Sequence, residues 1–270
     1  MEEDEYLSRP PPERTGHDSA RRRLVLVHGF AQNRACWGRF AEGLAADHHD
    51  SEPVDLVALD VGGHGAEAAT RRSFAEEADR IGDIGGHATY VGYSMGARLC
   101  LQLTIARPNL VDRLVLIGGS PGLADPMKRA QRAAADAALA DRIESIGVAA
   151  FLDEWLAQPL FAGLSSANQF REKRLQNTAA GLASSLRLAG NGTQPNLWPS
   201  LSGLQTPTLL LTGAHDTKFT VTAQAMVTLM PPGVGRHVVI AKAGHSPHLE
   251  RPDATIEAIG QSFRSVISDP

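Results

Sequence analysis

The chain has 270 residues, a length that suits one α/β domain carrying an inserted subdomain. Apolar residues make up 43% of it and charged residues 21%, which excludes a disordered, collagenous or membrane-spanning chain. Lys and Arg number 26 against 30 for Asp and Glu, and residues 1–20 hold the whole acidic excess. Because the rest is formally neutral, we expect neither a nucleic-acid partner nor membrane insertion, and a charged ligand must meet a local cluster.

Residues 1–20 are acidic and lack both apolar periodicities, so we predict a flexible arm rather than a secretory signal. Two cysteines, Cys36 and Cys100, are too few for a disulfide scaffold and indicate reduced thiols in a cytoplasmic protein. The His-His-Asp run at residues 48–50 could suggest a metal site, but adjacent side chains point apart, which favours a solvated loop. We therefore expect no metal and no cofactor.

Six short apolar runs follow in chain order, and each is typical of a strand buried on both faces of a sheet. They cover residues 23–27, 54–59, 88–93, 114–117, 208–211 and 237–241. Apolar residues with helical spacing occur between them, over residues 37–46, 74–84, 95–106, 221–230 and 254–266. Strands that alternate with helices at this interval predict an α/β fold with a mostly parallel sheet flanked by helices.

Residues 120–202 interrupt this alternation, since they contain no strand pattern but several Ala-rich helical ones. We predict an all-helical cap inserted into one core, which comprises residues 21–119 and 203–270. The cap holds positive clusters at residues 128–132 and 171–174. A charge run is normally a solvated face, but if the cap covers a pocket, guanidinium groups there suit a substrate with several carboxylates. The cap aromatics Trp155, Phe161 and Trp198 are core residues by default, with a pocket wall as the alternative.

The pentapeptide Gly-Tyr-Ser-Met-Gly at residues 92–96 directly follows one predicted strand and opens a predicted helix. In that context G-x-S-x-G forms a nucleophile elbow, a sharp turn that lifts the hydroxyl of Ser94 off the end of the sheet. The amide of Met95, the first in the helix, can then donate to a developing oxyanion. The motif alone is weak evidence in a chain with 26 glycines, and its position between strand and helix makes it significant.

A nucleophilic serine needs a base and an acid, which in such folds come later in the chain, each in a loop after a strand. Asp216 and His245 occupy these two positions. His245 would accept and return the proton, and Asp216 would hold its tautomer and stabilise the imidazolium. Taken singly, such an Asp is usually a turn or cap residue and such a His a hydrogen-bonded surface residue. The order Ser94, Asp216, His245 in matching contexts favours a triad.

Two further positions lie near this serine in the sequence pattern. Phe30 follows the first strand where the second oxyanion donor of such folds arises, so its amide is a candidate, with a plain strand-end turn as the alternative. Residues 60–65 contain three glycines and are interpreted as scaffold. Arg98 lies one helical turn after Ser94, and helix geometry alone favours an exposed, salt-bridging arginine.

Several longer motifs are specific enough to indicate a family. They are Gly-Tyr-Ser-Met-Gly-Ala-Arg at 92–98, Ser-Pro-Gly-Leu at 120–123 followed by Arg132 and Asp136, Trp155 with Pro-Leu-Phe at 159–161, Leu-Ala-Ser-Ser-Leu-Arg at 182–187, Gln-Pro-Asn-Leu-Trp at 194–198 and Asp-Thr-Lys-Phe at 216–219. With these, the chain from residue 28 to about residue 252 resembles the 2-succinyl-6-hydroxy-2,4-cyclohexadiene-1-carboxylate (SHCHC) synthases of menaquinone biosynthesis. Most of the motifs fall in the insert, which varies most across the superfamily.

The resemblance implies an alpha/beta-hydrolase fold with its cap inserted after the sixth core strand. It implies a cofactor-independent lyase that eliminates pyruvate from 2-succinyl-5-enolpyruvyl-6-hydroxy-3-cyclohexene-1-carboxylate, a small-molecule substrate with three carboxylates. Proton abstraction would use the serine, activated by the histidine, without a covalent acyl-enzyme. The residues so assigned are the catalytic Ser94, Asp216 and His245, the oxyanion amides of Phe30 and Met95, and the substrate-binding Tyr93, Arg98, Arg132, Trp155 and Arg174.

Some positions depart from the family pattern. Ala97 and Gly62 replace a glycine and a proline that are common in the family, and neither change touches the chemistry. The acidic arm leaves little room for the two strands that often precede the first core strand, so we expect a shorter or differently built sheet edge. The segment from residue 164 to 176 matches loosely, and a small gap there would put Arg171 in the place of Arg174.

Two other functions remain open. A serine hydrolase, such as an esterase, thioesterase or carbon-carbon bond hydrolase, would use the same triad through an acyl-enzyme, but a neutral ester would not explain arginines around Ser94. A binding module of the same fold would usually lack a triad member. The sequence pattern leaves the oligomeric state open.

Overall fold

The chain folds around one six-stranded parallel sheet in a computed structural model that describes residues 22–46 and 54–265. The predicted arm and the His-His-Asp run at residues 48–50 lie outside the described residues. The strands run in the order β2-β1-β3-β4-β5-β6 across the sheet. They are β1 (Arg23–Val27), β2 (Asp55–Leu59), β3 (Ala88–Tyr93), β4 (Val111–Ile117), β5 (Thr208–Gly213) and β6 (Gly235–Ile240). The prediction of a parallel α/β sheet is confirmed.

Helices cover both faces of the sheet, as its apolar strands require. In chain order they are α1 (Gly38–Ala46), α2 (Phe74–Gly85), α3 (Met95–Ala106), α4 (Pro126–Leu156), α5 (Arg171–Arg174), α6 (Ala179–Ala189), α7 (Thr217–Leu229), α8 (Pro247–Glu250) and α9 (Pro252–Ser265). Short 3-10 helices occupy Arg34–Trp37, Gly65–Glu67, Pro108–Leu110, Pro159–Phe161, Ala167–Gln169 and Trp198–Gly203.

Alternate residues of each strand enter different hydrophobic clusters. Val25 and Val27 of β1 pack with residues of α2, α3 and α7, whereas Leu24 and Leu26 pack on the opposite face with residues of α1 and α9. The central strands β3 and β5 are buried at every position, but β6 is largely half-buried or exposed along its length. The expectation that every strand is buried on both faces is therefore wrong for β6, because it lies at a sheet edge with a neighbour on one side only.

The segment between β4 and β5 is helical, with no strand among its residues, all of which the structure describes. It contains α4, which bends at Gly147 (φ 77°), together with α5 and α6. Ile143 and Phe151 of α4 pack against Leu182 of α6 in a hydrophobic cluster that also takes in Ala31 of the sheet domain. The insert thus has its own small core and shares it with the loop after β1.

The insert follows β4, the fourth of the described strands. Its place after a sixth core strand stays a prediction, because the residues before β1 that this count would include lie outside the described residues. None of the helices within residues 22–46 and 54–265 has the length and apolar character needed to cross a membrane.

Candidate functional site

Ser94 lies at the sharp turn between β3 and α3. It adopts φ 51° and ψ −103°, a conformation that residues with a side chain rarely take, and it is half-buried at the carboxyl end of the sheet. Gly92 and Gly96 permit this turn. A Cβ on Gly92 would come within 2.6 Å of the Ala97 amide nitrogen, and one on Gly96 would overlap the carbonyl oxygen of Val27. The glycines of the motif are therefore required by close backbone approach, as the elbow predicts.

The hydroxyl of Ser94 meets the other two predicted triad residues. Its Oγ lies 3.2 Å from Nε2 of His245, and Nδ1 of His245 lies 2.6 Å from Oδ2 of Asp216. Asp216 ends the loop after β5 as the N-cap of α7, where its Oδ1 also accepts the amide of Phe219 (3.3 Å). His245 follows β6 and is buried. The arrangement can pass a proton from the serine hydroxyl to the imidazole, with the carboxylate orienting the ring.

The two candidate oxyanion amides come from different segments, since Phe30 lies in the loop after β1 and Met95 directly follows Ser94. Met95 is the first residue of α3, so its amide has no partner within the helix. The Gly29 carbonyl accepts from Nδ1 of His28 (2.8 Å) and from the Gln32 amide (3.2 Å). Because that carbonyl and the Phe30 amide belong to one trans peptide, the two bonds fix the direction in which the Phe30 amide points.

Two buried histidines hold the loop that carries Phe30. Nε2 of His28 accepts the Val61 amide (3.0 Å), and Nε2 of His64 accepts the Ala31 amide (3.1 Å). Each ring must be neutral to accept in this way. Burial, together with the neighbouring His28, lowers the pKa of His64 to about 3, and burial also lowers the pKa of His28. Through His64, the segment interpreted as scaffold thus supports the loop that carries Phe30.

A cavity of about 270 Å³ opens above Ser94 between the sheet domain and the insert. Among the described residues, its lining combines apolar side chains with four cationic ones and includes no carboxylate side chain. The cationic side chains are Arg98, Arg132, Arg174 and Lys218. Such a pocket is electrostatically suited to an anionic ligand of small size.

Arg174 is the most deeply buried of these cations, with a relative exposure of 1%. Its Nε donates to the Gln169 carbonyl (2.7 Å) and its Nη1 to the Ala31 carbonyl (3.2 Å). No carboxylate of the described residues pairs with it, and burial lowers its pKa. A buried charge without a counter-charge is costly unless a ligand supplies one, so Arg174 is a candidate anion-binding group.

Arg171, the alternative to Arg174, faces away from the cavity. It is half-buried and pairs with Asp153 (2.9 Å), and it does not belong to the cavity lining. Arg171 therefore has a carboxylate counter-charge at the surface, whereas the buried Arg174 has none among the described residues.

Arg98 and Arg132 both line the cavity and lie close enough for their charges to interact. Arg98 is half-buried, lies over the ring of Phe74 (5.6 Å) and donates to the side-chain oxygen of Gln194 (3.3 Å). Burial and the like charge of Arg132 lower its pKa to about 10. Arg132 is paired with the buried Asp136 (2.7 Å). Helix geometry alone predicted an exposed, salt-bridging Arg98. This prediction is wrong, because the insert covers this face of α3.

Tyr93 and Trp155 also line the cavity, as predicted for them. The Tyr93 hydroxyl is hydrogen bonded to Oγ of Ser246 (2.6 Å), and burial raises the pKa of this phenol. Trp155 packs edge-on against Phe30 (5.4 Å), and its indole nitrogen is buried without a hydrogen-bond partner among the described residues. Trp155 is thus part of the cavity wall as well as of the insert core.

Sequence reasoning missed other residues of the cavity. Lys218 lines it, and Phe219 packs its ring on His245 (4.5 Å). The sequence could have indicated both residues, because they closely follow Asp216 and the first turn of α7 must therefore lie beside the triad. Asn191 also lines the cavity and carries a buried side-chain oxygen without a partner among the described residues. It lies in a loop of the insert, where no sequence pattern pointed to it.

The two cysteines and possible metal ligands lie apart from this chemistry. Cys36 and Cys100 are buried and form no disulfide. Across residues 22–46 and 54–265, no three His, Cys, Asp or Glu side chains are grouped so that they could hold a metal ion.

The profile of the alpha/beta hydrolase family matches residues 24–258. A protein of Serratia proteamaculans (strain 568) named 2-succinyl-6-hydroxy-2,4-cyclohexadiene-1-carboxylate synthase is 34% identical over 241 residues, which cover 86% of this chain and 89% of that protein. A Bacillus subtilis (strain 168) protein that is provisionally given the same name is 32% identical over 257 residues, with 90% of each chain covered.

A solved structure is also similar. The structure titled as MenH from S. aureus superposes with a TM-score of 0.79 at 28% identity, covering 90% of this chain and 94% of that one. The similarity therefore extends over the insert as well as the sheet domain.

The elbow generates a prediction about Gly96. We expect Gly96→Ala to lower the melting temperature strongly and to abolish activity, because the added Cβ would overlap the Val27 carbonyl and displace the loop after β1. Thermal unfolding followed by circular dichroism measures the effect. Gly203→Ala is the matched control, since a Cβ at Gly203 meets nothing within 4 Å. Equal melting temperatures for both variants would contradict the close-approach argument.

The buried histidine pair generates a prediction about pH. Since the pKa of His64 falls from 6.5 to about 3 on folding, the unfolded chain binds a proton in that range that the folded chain does not. Stability is therefore lost as pH falls below 6.5, by up to about 1.4 kcal/mol per pH unit from this group. We expect His64→Gln to have a shallower decline.

Urea unfolding at several pH values between 7 and about 4 measures this slope. A decline as steep in His64→Gln as in the unaltered protein would show that His64 is not the buried neutral group. The control is His87→Gln, because His87 is exposed and pairs with Asp112 at the surface.

Proposed function

The chain belongs to the alpha/beta hydrolase family and, within it, to the SHCHC synthases, and we propose that it catalyses the reaction for which those synthases are named. This reaction eliminates pyruvate from 2-succinyl-5-enolpyruvyl-6-hydroxy-3-cyclohexene-1-carboxylate and gives SHCHC in menaquinone biosynthesis. The observation that carries the proposal is the buried Arg174, which has no counter-charge among the described residues and lines the same cavity as Ser94. The unbonded, buried cysteines fit the cytoplasmic location that we propose with it.

The charges of the cavity match the proposed substrate. That substrate bears three carboxylates, and the described part of the chain gives the cavity four cationic side chains and no acidic one. Arg98 and Arg174 are the best placed to bind carboxylates, because neither pairs with a carboxylate of the described chain. Arg132 can bind a further carboxylate with the part of its guanidinium that Asp136 leaves open, since only Nε of Arg132 bonds Asp136. Tyr93 and Trp155 would form the wall against the ring of the substrate.

The proposed chemistry requires a base beside the ring. A proton leaves C2, which lies next to the succinyl carbonyl, and its electron pair forms the C2–C3 double bond. The C3–C4 pair moves to C4–C5, and the C5–O bond breaks. The enolpyruvate that departs takes up a proton and becomes pyruvate. This sequence converts the 3-ene of the substrate into the 2,4-diene of the product, with no oxidant and no added water.

The residues around Ser94 are suited to each part of this step. Ser94, hydrogen bonded to His245, would take the C2 proton and pass it to the imidazole, and Asp216 would stabilise the imidazolium that results. Charge that develops on the succinyl carbonyl oxygen would be held by the amides of Phe30 and Met95. Lys218, which extends from the first turn of α7 beside the triad, adds a positive charge near the reacting atoms.

Serine hydrolysis is the competing function, since the same triad geometry serves acyl transfer. A hydrolase of neutral esters would leave the buried Arg174 without an anionic partner in every state of its cycle. The lyase accounts for both the triad and the arginines, whereas neutral-ester hydrolysis accounts for the triad alone. A pure binding role would leave the complete triad without a purpose.

We predict that Ser94→Ala lowers kcat by about 10²- to 10⁴-fold, because it removes the proposed base while leaving the arginines in place. Pyruvate release from freshly prepared substrate, coupled to lactate dehydrogenase, measures this rate above the spontaneous decay. A short activated ester is assayed in parallel. If the unaltered protein hydrolyses the ester with an acyl group trapped on Ser94, and releases no pyruvate above the spontaneous rate, the result would contradict the lyase and favour the hydrolase.

We predict that Arg174→Met raises KM by about 10- to 100-fold, because a charged hydrogen bond to a substrate carboxylate is lost. Arg171→Met is the matched control from the same helix, and its kcat and KM should stay within about twofold of the unaltered values, since that residue pairs with Asp153 at the surface. Steady-state kinetics of both variants would test the assignment. A larger effect at Arg171 than at Arg174 would reverse it.

A further inference from the structure

Side chains join the insert to the loop after β1. Nδ2 of Asn33 donates to the Lys173 carbonyl (2.6 Å) and to the side-chain oxygen of Gln176 (3.2 Å), and Nη1 of Arg174 donates to the Ala31 carbonyl (3.2 Å). The proposed anion-binding Arg174 is thus bonded directly to the residue that follows Phe30. These bonds link the loop after β1, which carries Phe30, to the segment of the insert that carries Arg174.

Asn177 is the centre of this connection. It is buried, with a relative exposure of 5%, and its Oδ1 accepts the Gly65 amide (2.8 Å). Its Nδ2 faces the carbonyls of Ala31 (3.5 Å), Gln32 (3.3 Å) and Arg174 (3.0 Å). One side-chain amide therefore joins the loop after β1, the loop after β2 and the insert. The amide is oriented unambiguously, because the Gly65 N–H can only donate and the three carbonyls can only accept.

Ala31 connects Asn177 and Arg174 to Phe30, which directly precedes it in the loop after β1. It has φ 58°, a left-handed conformation that is unfavourable for a residue with a side chain and persists only where its surroundings hold it. His64 holds its amide, and Arg174 and Asn177 hold its carbonyl. The peptide groups on both sides of Ala31 are therefore clamped, and so is the position of Phe30 immediately before it.

We propose that Asn177 is a positioning residue that couples the carboxylate-binding Arg174 to the loop presenting the Phe30 amide. The inference rests on the proposed function, because it assigns those roles to Arg174 and Phe30. With Asn177 in place, the guanidinium and the amide form one rigid unit, so a substrate carboxylate held by Arg174 finds the oxyanion donor already in position. Without Asn177, the Ala31 carbonyl loses a hydrogen-bond donor and the Phe30 amide can shift. Stabilisation of the transition state is sensitive to such a shift.

The test compares Asn177→Ala with Asn168→Ala. Asn168 is a matched control, since its Nδ2 also ties the insert to a backbone carbonyl of the sheet domain, that of Leu249 (2.8 Å), away from the loop that carries Phe30. We expect Asn177→Ala to lower kcat by about 10- to 100-fold with KM changed less than about threefold. Asn168→Ala should lower the melting temperature and leave kcat within about twofold. An unchanged kcat in Asn177→Ala would overturn the coupling.

A double-mutant cycle tests the link to Arg174. If Asn177 acts through the shared Ala31 carbonyl, the loss of kcat/KM in Arg174→Met/Asn177→Ala is smaller than the product of the two single losses. Independent, multiplicative losses would contradict the coupling. Asn177→Leu is the second variant, because it nearly keeps the side-chain volume and removes the donors and the acceptor of the amide without adding a charge. It should lower kcat as Asn177→Ala does.

Hydrogen exchange of the unaltered protein tests the same coupling without any substitution. Saturating SHCHC, the product, should slow exchange in residues 29–33 as well as in residues 171–177. Protection of residues 171–177 alone would overturn the inference. The failure of the proposed function looks different, since it would be the absence of Ser94-dependent pyruvate release from the unaltered protein, whatever the Asn177 variants do.

Discussion

All six strands of the described sheet run in the same direction, and the site depends on this constraint. Parallel strands bring their carboxyl ends to one edge, so the loops that follow β1, β3, β5 and β6 meet there although they are far apart in the sequence. Those loops supply Phe30, Ser94, Asp216 and His245. The strained turn at Ser94 is possible because Gly92 and Gly96 let the elbow pack directly onto neighbouring backbone.

The insert adds what the sheet edge lacks, which is positive charge held out of water. Arg174 has two backbone carbonyls as hydrogen-bond acceptors but no carboxylate of the described chain, and Arg98 stacks on an aromatic ring rather than pairing with an acid. Each therefore keeps most of its charge available to a ligand. A protein that needed only stability would not bury cations in this way, since removing or pairing them would cost less. Their retention beside the triad is a property of the site rather than of the fold.

Much of this architecture could be predicted from local patterns. Apolar runs and helical spacing are read over five to fifteen residues, and they identified the six strands and the main helices because burial on a sheet face imposes those periods directly. The elbow and the order of the triad followed, since each residue sits immediately after a strand. The exposure of β6 was less accessible, because it depends on the place of the strand at a sheet edge and not on its own composition.

The sequence by itself determined the α/β class, the elbow at Ser94 and the candidate triad, because local backbone geometry and strand order decide these features. Only the tertiary structure distinguished Arg174 from Arg171, brought Lys218 to the cavity and revealed Asn177 between three segments. The physical reason is that burial and pairing of a polar side chain are set by residues distant in the chain. Arg171 and Arg174 are three positions apart on one helix, yet one meets Asp153 at the surface and the other is enclosed against the loop after β1.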